Sequence, residues 1–177
     1  MHDKRRVVAV DAGWAILAPM TDADIRVAQP DEWPAILASI REAYAPWVAV
    51  IGREPYPATA DYRPRVAAGD VLVIDGRDGI DGVLVVEDRD GALLLESVSV
   101  VPGAQGRGLG RRLMEHAADV ARARGHGRVR LYTNAKMARN MAMYEALGYR
   151  EVERTRERGF DRVYMELQLA EAASASS

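Results

Sequence analysis

The stretch of this chain that most constrains its fold is LLLESVSVVPGAQGRGLGRRL, from Leu93 to Leu113. An apolar run ends at Val101-Pro102, a glycine-rich turn follows over residues 105–110, and a helical pattern begins directly after it. The backbone N–H groups of such a turn point to one place, and the helix dipole adds about half a positive charge there. Glycine lets the backbone approach a ligand without a Cβ in the way. The stretch therefore predicts a strand-turn-helix unit that binds a pyrophosphate.

Two common phosphate-binding motifs do not match this turn. A Walker loop ends in Gly-Lys-Ser/Thr, and that ending is missing here. A dinucleotide fingerprint that begins at Gly106 needs a third glycine at position 111, where the chain has Arg111. From these residues alone, a nucleotide-phosphate site of another kind and a tight turn without a ligand both remain alternatives.

Hydrophobic periodicity and turn residues predict a single α/β domain over residues 23–170. Consecutive hairpins predict antiparallel pairing in the first part of the sheet, and the later strand-helix-strand unit predicts one right-handed parallel crossover. Strands are expected at Ile25–Ala28, Val71–Ile74, Gly82–Val86, Leu93–Val101, Val129–Thr133, Tyr149–Thr155 and Arg162–Leu169. Helices are expected from Pro30 to about Ala45, where Pro46 should end the helix, and at Ala60–Ala68, Gly108–Arg124 and Met137–Leu147.

Composition excludes several kinds of site. The chain has 177 residues, 49% of them hydrophobic, which suits one domain with a full core. It has no cysteine, which rules out disulfides and thiolate chemistry and fits a cytoplasmic location. The three histidines are scattered without ligand spacing, so no metal site is expected. No apolar run approaches the length of a membrane span, so no membrane partner is expected.

Both ends of the chain are expected to lie outside the domain. Lys4 to Arg6 followed by VVAV resembles the opening of a signal peptide, but Asp11 interrupts the apolar run and no cleavage pattern follows. Residues 1–22 are instead interpreted as a flexible extension, with an added short strand or a true start at Met20 as alternatives. Residues 171–177 are small and polar, and we expect a disordered tail.

The charge of the chain is divided between its two halves. Residues 1–100 carry 10 basic and 17 acidic side chains, whereas residues 101–170 carry 14 basic and 8 acidic ones. A positive half around the glycine turn favours a polyanionic ligand. No aromatic-interleaved basic patch accompanies the arginines, and the net charge is −2, so nucleic acid is not the expected partner.

The turn and a second segment together resemble the GNAT superfamily of N-acetyltransferases. The turn Gln105-Gly106-Arg107-Gly108-Leu109-Gly110 matches the family pattern Gln/Arg-x-x-Gly-x-Gly/Ala at each fixed position. About 35 residues further on, LYTNAKMARNMAMYEALGY contains Asn140 and Tyr144 four residues apart, and it ends in the family's Tyr/Phe-x-x-x-Gly-Phe/Tyr pattern. The resemblance implies a mixed α/β fold with a twisted, mostly antiparallel sheet of about seven strands flanked by about four helices.

The resemblance also implies a cofactor, acetyl-CoA, and the residues that hold it. The main chain of one strand would pair with the pantetheine arm, the glycine turn would hold the pyrophosphate, and an asparagine would bind the arm or the phosphates. These positions are Val98, Val100, Gln105, Gly106, Arg107, Gly108, Leu109, Gly110, Arg111 and Asn140.

Two catalytic residues follow from the same comparison. Tyr144 corresponds to the tyrosine near the thioester sulfur, and a phenol can donate a proton to a leaving thiolate at neutral pH. Glu96 is the nominated base, because it is expected on the same face of its strand as Val98 and Val100. A salt-bridged Glu96 and a Tyr144 that only fills the core are the structural alternatives.

The acceptor is expected to be a primary amine of a small molecule or peptide. The irregular, aromatic-rich segment after Pro46 supplies four candidate substrate-binding residues, Trp47, Arg53, Glu54 and Tyr56. Glu54, Asp61 and Glu96 together would suit a cationic amine. A homodimer is common in the resembled family. The competing hypothesis is a non-catalytic domain that binds acyl-CoA but modifies no acceptor.

Overall fold

The computed structural model describes residues 25–170, and the predictions for residues 1–22 and 171–177 concern residues outside that range. Seven strands form one sheet in the order β1-β2-β3-β4-β5-β7-β6, and all neighbours are antiparallel except β4 and β5. The strands are β1 (Ile25–Val27), β2 (Val71–Asp75), β3 (Ile80–Arg89), β4 (Ala92–Val100), β5 (Arg128–Asn134), β6 (Arg150–Glu157) and β7 (Phe160–Gln168). The helices are α1 (Trp33–Ile51), α2 (Arg63–Ala67), α3 (Leu109–Ala123) and α4 (Ala138–Ala146).

The predicted fold class is confirmed, since a mixed, mostly antiparallel sheet of seven strands is flanked by four helices. Alternate side chains of β2 and β3 pack into two separate cores. One core, with Leu72 and Leu84, is covered by α3 and α4, and the other, with Val73 and Val83, is covered by α1 and α2. Burial on both faces explains why these strands are apolar at nearly every position.

The prediction that the first helix ends at Pro46 is wrong. Helix α1 continues to Ile51, with Pro46 inside it, and ends where Gly52 takes a left-handed conformation (φ 88°). Proline removes one helical hydrogen bond and usually bends or ends a helix. Pro46 lies on the exposed side of α1, where water can satisfy the carbonyl that loses its partner. The extra turn brings Trp47 and Ile51 to the surfaces described below.

The sheet opens between its two parallel strands. β4 pairs with β5 only at Leu93–Leu95 within the described chain, whereas β5 continues beside β7 as far as Asn134. A bulge in β4 accompanies this separation, because Leu95 pairs with Val86 and Ser97 with Val85, which leaves Glu96 as an extra residue. Bulges bend the strand that carries them. The carboxyl-terminal half of β4 therefore presents a free backbone edge.

The described residues contain no helix that is both long enough and apolar enough to cross a membrane.

Candidate functional site

A long groove lies against the free edge of β4. Its walls are β4, the glycine turn with the start of α3, α4, and the later part of α1, and its volume is about 530 Å³. We call this surface the loop groove; it includes Val98, Val100, Gln105, Gly108 and Asn140. Its size falls in the range of pockets that hold cofactors and other small ligands.

The glycine turn has the conformation that an anion site needs. Gly106 and Gly108 take left-handed φ angles of 78° and 76°, and a Cβ on either residue would project into open space. Gly108 is the N-cap of α3, so the first N–H groups of that helix have no acceptor within the helix. The positive end of the helix dipole adds to this donor cluster. The geometry of the turn is therefore that of an anion site, and its binding of a pyrophosphate stays a prediction.

The side chains around the turn have different roles. Arg111 lines the loop groove and bonds Glu115 at 2.8 Å, whereas Arg107 bonds Asp81 at 3.0 Å and does not line the groove. Gln105 donates to the carbonyl of Val100 at 3.2 Å, which ties the turn to the end of β4. Of these side chains, Arg111 and Gln105 line the loop groove together with the backbone of the turn.

A second, smaller pocket lies at the gap between β4 and β5 and is lined by both strands. We call it the aromatic pocket, because five of its wall residues are aromatic: Tyr44, Tyr56, Tyr132, Tyr144 and Phe160. Burial raises the pKa of the Tyr132 hydroxyl to about 12, although nearby Arg162 acts in the opposite direction. The guanidinium of Arg162 lies over the Tyr132 ring, 4.5 Å from its centroid. The pocket thus combines aromatic walls with a guanidinium group stacked on one of them.

The carboxylate of the aromatic pocket is Glu96. Its side chain bonds the guanidinium Nε of Arg65 at 3.0 Å and is 11% exposed. Burial raises the pKa of the Glu96 carboxyl, and the charge of Arg65 acts against this rise. The expectation that Glu96 faces the same way as Val98 and Val100 is wrong, since the bulge changes the alternation of β4. Val98 and Val100 pack against the core under α3, whereas Glu96 reaches toward α2.

The groove and the pocket meet at a shared set of side chains. Five residues line both spaces: Tyr44, Val98, Met137, Asn140 and Tyr144. Tyr144 is 6% exposed, and its hydroxyl has no hydrogen-bond partner among the residues described. Burial raises the pKa of this hydroxyl above its usual value, so it stays protonated at neutral pH. Tyr144 thus presents a protonated hydroxyl at the junction of the two spaces.

The four predicted substrate-binding residues lie in different places. Tyr56 lines the aromatic pocket, and Trp47 lines the loop groove instead. Arg53 stacks on Phe160, and Glu54 is exposed and lines neither space. Asp61 bonds Arg63 on the surface. Of the three carboxylates expected to form an acidic cleft, Glu54, Asp61 and Glu96, only Glu96 therefore lines the pocket.

Sequence reasoning missed several wall residues of the aromatic pocket. Helical spacing places Tyr44 in the core, although its hydroxyl lies 3.5 Å from that of Ser97. Tyr132 could have been found, because strand alternation puts it on the face opposite Leu131. Phe160 and Arg162 carry no such signal, since only the pairing of β7 with β5 brings them to the pocket. The described residues hold no cluster of potential metal ligands.

Comparison with known proteins gives the family of this fold and site. The acetyltransferase (GNAT) family matches residues 33–149. The chain is 46% identical over 83 residues to a mycothiol acetyltransferase of Beutenbergia cavernae, covering 39% of this chain and 28% of that protein. It is 35% identical over 96 residues to a streptothricin acetyltransferase of Streptomyces lavendulae, covering 42% and 51%. The chain thus spans about half or less of these relatives' length.

A solved structure shares the fold. The PaiA N-acetyltransferase of Thermoplasma acidophilum, in complex with coenzyme A, superposes with a TM-score of 0.68 at 16% identity. The match covers 81% of this chain and 97% of that one. The matched region of the family includes α1, the glycine turn and Tyr144. The chain therefore belongs to the acetyltransferase (GNAT) family, whose enzymes use acetyl-CoA as the acyl donor.

Proposed function

We propose that this chain is an acetyl-CoA-dependent N-acetyltransferase that transfers the acetyl group directly to a primary amine of a small molecule or peptide. The observation that carries the proposal is the junction at Tyr144, where a groove with an anion-binding turn meets a pocket with aromatic walls and one carboxylate. Direct transfer needs both reactants at one place, and holding them there can remove about 7–11 kcal/mol of the barrier.

The residues of the loop groove bind and orient the cofactor. Backbone N–H groups of residues 106–111 hold the pyrophosphate, with the charge of Arg111 beside them. The free edge of β4 at Val98 and Val100 pairs with the pantetheine arm, and the Asn140 side chain bonds the same arm. Acetyl-CoA supplies the acetyl thioester, whose C–S bond breaks as the amine nitrogen forms its bond to the acetyl carbon.

Two side chains then move protons. A lysine-like amine has a pKa near 10.4, so only about one molecule in a few thousand is neutral at pH 7. Glu96 takes the proton of the ammonium, directly or through water, and its raised pKa makes it a better base than an ordinary carboxylate. After the attack, the nitrogen carries one proton more than the amide needs. Tyr144 gives its hydroxyl proton to the leaving sulfur, and the phenolate regains a proton from that nitrogen through water. The products are an acetamide and a free thiol.

Acetyl-CoA-dependent thiol release across a panel of primary amines tests the function. The chain has no cysteine, so a thiol-reactive dye reports only the product. Tyr144→Phe should lower kcat about 10²–10⁴-fold, because it removes the proton donor and keeps the ring. Acetyl-CoA affinity should hardly change, which calorimetry would show.

Tyr149→Phe is a matched control. Tyr149 is also buried, its ring centroid lies 6.1 Å from that of Tyr144, and it lines neither the loop groove nor the aromatic pocket. Equal losses in both variants would contradict the role of Tyr144. Tight acetyl-CoA binding without release on any amine would favour the non-catalytic binding domain.

A further inference from the structure

One side chain connects two segments that contribute residues to the aromatic pocket. Arg53 follows the end of α1, and its guanidinium carbon lies 3.3 Å from the centroid of the Phe160 ring. The same guanidinium donates a hydrogen bond to the backbone carbonyl of Arg158. Arg53 thus joins the segment between α1 and α2 to the turn between β6 and β7. We call this set of contacts the Arg53 bridge.

Both joined segments supply walls of the aromatic pocket. Pro55, Tyr56 and Pro57 come from the first segment, and Phe160 and Arg162 come from the start of β7. The Arg53 bridge therefore joins two segments that both line this pocket. The pocket has a volume of about 70 Å³, against about 530 Å³ for the loop groove. That space suits the amine end of a small molecule and is much smaller than the roughly 300–1,000 Å³ of a pocket for a drug-sized ligand.

The turn on the far side has the shape that the Arg53 bridge requires. Arg158 and Gly159 have left-handed φ angles of 49° and 77°, and this pair of angles is typical of a tight hairpin turn. A Cβ at position 159 would come within 3.1 Å of a terminal nitrogen of Arg53. Glycine at 159 therefore leaves the room in which the guanidinium sits.

We propose that the Arg53 bridge is a size filter, so that Arg53 makes the enzyme selective for small primary amines over peptide amines. This inference rests on the proposed function. A peptide acceptor has to pass its chain between the two joined segments, which means that the Arg53 contacts must first open. A small amine reaches Glu96 and Tyr144 with the contacts closed. Loss of the guanidinium makes the open arrangement more populated and favours the larger acceptor.

The first test compares two acceptors in the thiol-release assay, 2-phenylethylamine and the peptide Ala-Gly-Ser-Gly amide. Arg53→Ala should raise the ratio of kcat/KM for the peptide to that for the small amine about fivefold, the factor expected from one exposed cation–π contact. Phe160→Leu should act in the same direction, since it keeps an apolar wall and loses the aromatic face. Arg156→Ala is the control, because Arg156 is an exposed arginine of the same hairpin whose side chain pairs with Asp161, at 3.8 Å, rather than with a pocket wall.

A second test does not need catalysis. Thr133 lines the aromatic pocket and not the loop groove, and in this cysteine-free chain Thr133→Cys places a single thiol there. Methyl methanethiosulfonate should modify this thiol much faster than fluorescein maleimide does. Adding Arg53→Ala should reduce the difference in rate about fivefold, and adding Arg156→Ala should leave it unchanged.

The outcomes separate the filter from the proposed function. Two results would overturn the filter. One is a wild-type enzyme with the same kcat/KM for the peptide as for the small amine. The other is a difference in labelling rate at the introduced thiol that Arg53→Ala leaves unchanged. A difference in labelling rate that becomes smaller in Arg53→Ala supports the filter, even if no amine is acetylated. If no amine is acetylated, the proposed function is wrong and the filter stands. Thermal unfolding of each variant checks that it is folded.

Discussion

At the scale of single residues, the proposed base is subject to two opposing influences. Burial raises the pKa of the Glu96 carboxyl, while the guanidinium of Arg65, bonded to it at 3.0 Å, favours the ionised form. Arg65 also pairs with Glu87 at 2.8 Å, so its charge is shared between two carboxylates. A base is most effective when its pKa lies near the working pH. Arg65 therefore adjusts the pH range in which Glu96 can accept a proton.

Substitution of Arg65 tests this arrangement. Glu96 must be ionised to act, so the acidic limb of the kcat/KM profile follows its pKa. Arg65→Ala removes the positive charge that counteracts the effect of burial on the pKa of Glu96. The pKa of Glu96 therefore increases further, and the acidic limb moves to higher pH. We expect a shift of about one pH unit, at the low end of the effect of an adjacent opposite charge.

The matched control is Arg63→Ala, which removes an exposed arginine two residues away that is bonded to Asp61. The profile of this variant should coincide with that of the wild type. An acidic limb that stays in place in Arg65→Ala, with activity retained, would show that Glu96 is not the base.

The same residues show how far single-residue prediction reaches. The glycines of the turn, Asn140 and Tyr144 can be found because each belongs to a short motif with fixed spacing. The face of β4 on which Glu96 lies cannot be predicted in this way. Strand alternation assumes a regular ladder of hydrogen bonds, and the bulge arises from the pairing of β4 with β3. Glu54 is a candidate only because its segment is rich in aromatic residues, but its neighbours Pro55 and Tyr56 form the pocket wall.

At the scale of secondary-structure elements, the bulge in β4 shapes the loop groove. Its extra residue bends the strand after Leu95, which is also where pairing with β5 stops. Without the bulge, β4 could continue as a regular neighbour of β3 and approach β5 more closely. The loop groove depends on the gap between these strands, because the free edge of β4 is one of its walls.

Deletion of the bulged residue should close this gap. In the variant that lacks Glu96, Leu95 and Ser97 become consecutive, so the ladder with β3 becomes regular and Val98 and Val100 keep their faces. We expect the fold to remain and the affinity for acetyl-CoA to fall about tenfold or more, equal to about 1.4 kcal/mol, because β4 lies nearer to β5.

Calorimetric titration with acetyl-CoA measures this effect, and Glu96→Gln is the control. The substitution keeps the bulge and removes only the charge, so it should bind the cofactor normally. Normal binding by the deletion variant would mean that the bulge does not maintain the groove.

Helix α1 shows where element boundaries escape prediction. Proline inside a helix is costly, so the local sequence predicts an end at Pro46. The helix continues because its side at Pro46 faces solvent, and its inner side is held by Ile36, Ile40 and Ala43 against the sheet. That balance depends on tertiary packing and is not visible in the local sequence.

At the scale of the whole molecule, cofactor binding should raise the thermal stability of the fold. A ligand at 100 times its Kd stabilises the native state by about 2.7 kcal/mol. For a domain of this size, that corresponds to a rise in Tm of about 5–10 °C.

Alanine substitution of two glycines at opposite ends of α3 distinguishes the stability lost to backbone strain from the stability gained by binding acetyl-CoA. Gly108 and Gly125 both have left-handed φ angles, 76° and 78°, and a Cβ on either meets nothing within 4 Å. Gly108→Ala and Gly125→Ala should therefore each lose about 1–2 kcal/mol to backbone strain. Only Gly108→Ala should also lose the rise in Tm with acetyl-CoA, because its methyl group occupies the space of the pyrophosphate. Equal responses to acetyl-CoA would contradict the assignment of the turn.

The general architecture is predictable for a simple reason. Hairpin turns, the crossover helix and the alternation of apolar residues are local signals, and together they predict seven strands, four helices and one parallel pair, all of which are confirmed. The position of β7 between β5 and β6 has no local signal, although it decides which residues of the last hairpin reach the aromatic pocket.

This position of β7 has a consequence for biosynthesis. The strand that completes the second half of the sheet is formed by residues 160–168, yet it is an interior strand with neighbours on both sides. Until the ribosome releases these residues, β5 lacks its partner on that side and Phe160 and Arg162 are missing from the pocket. The amino-terminal hairpins and α3 can pair during translation, since nascent domains gain structure from the amino terminus onward. A nascent chain can thus form the glycine turn well before the aromatic pocket, which is complete only after residues 160–168 have been inserted between β5 and β6.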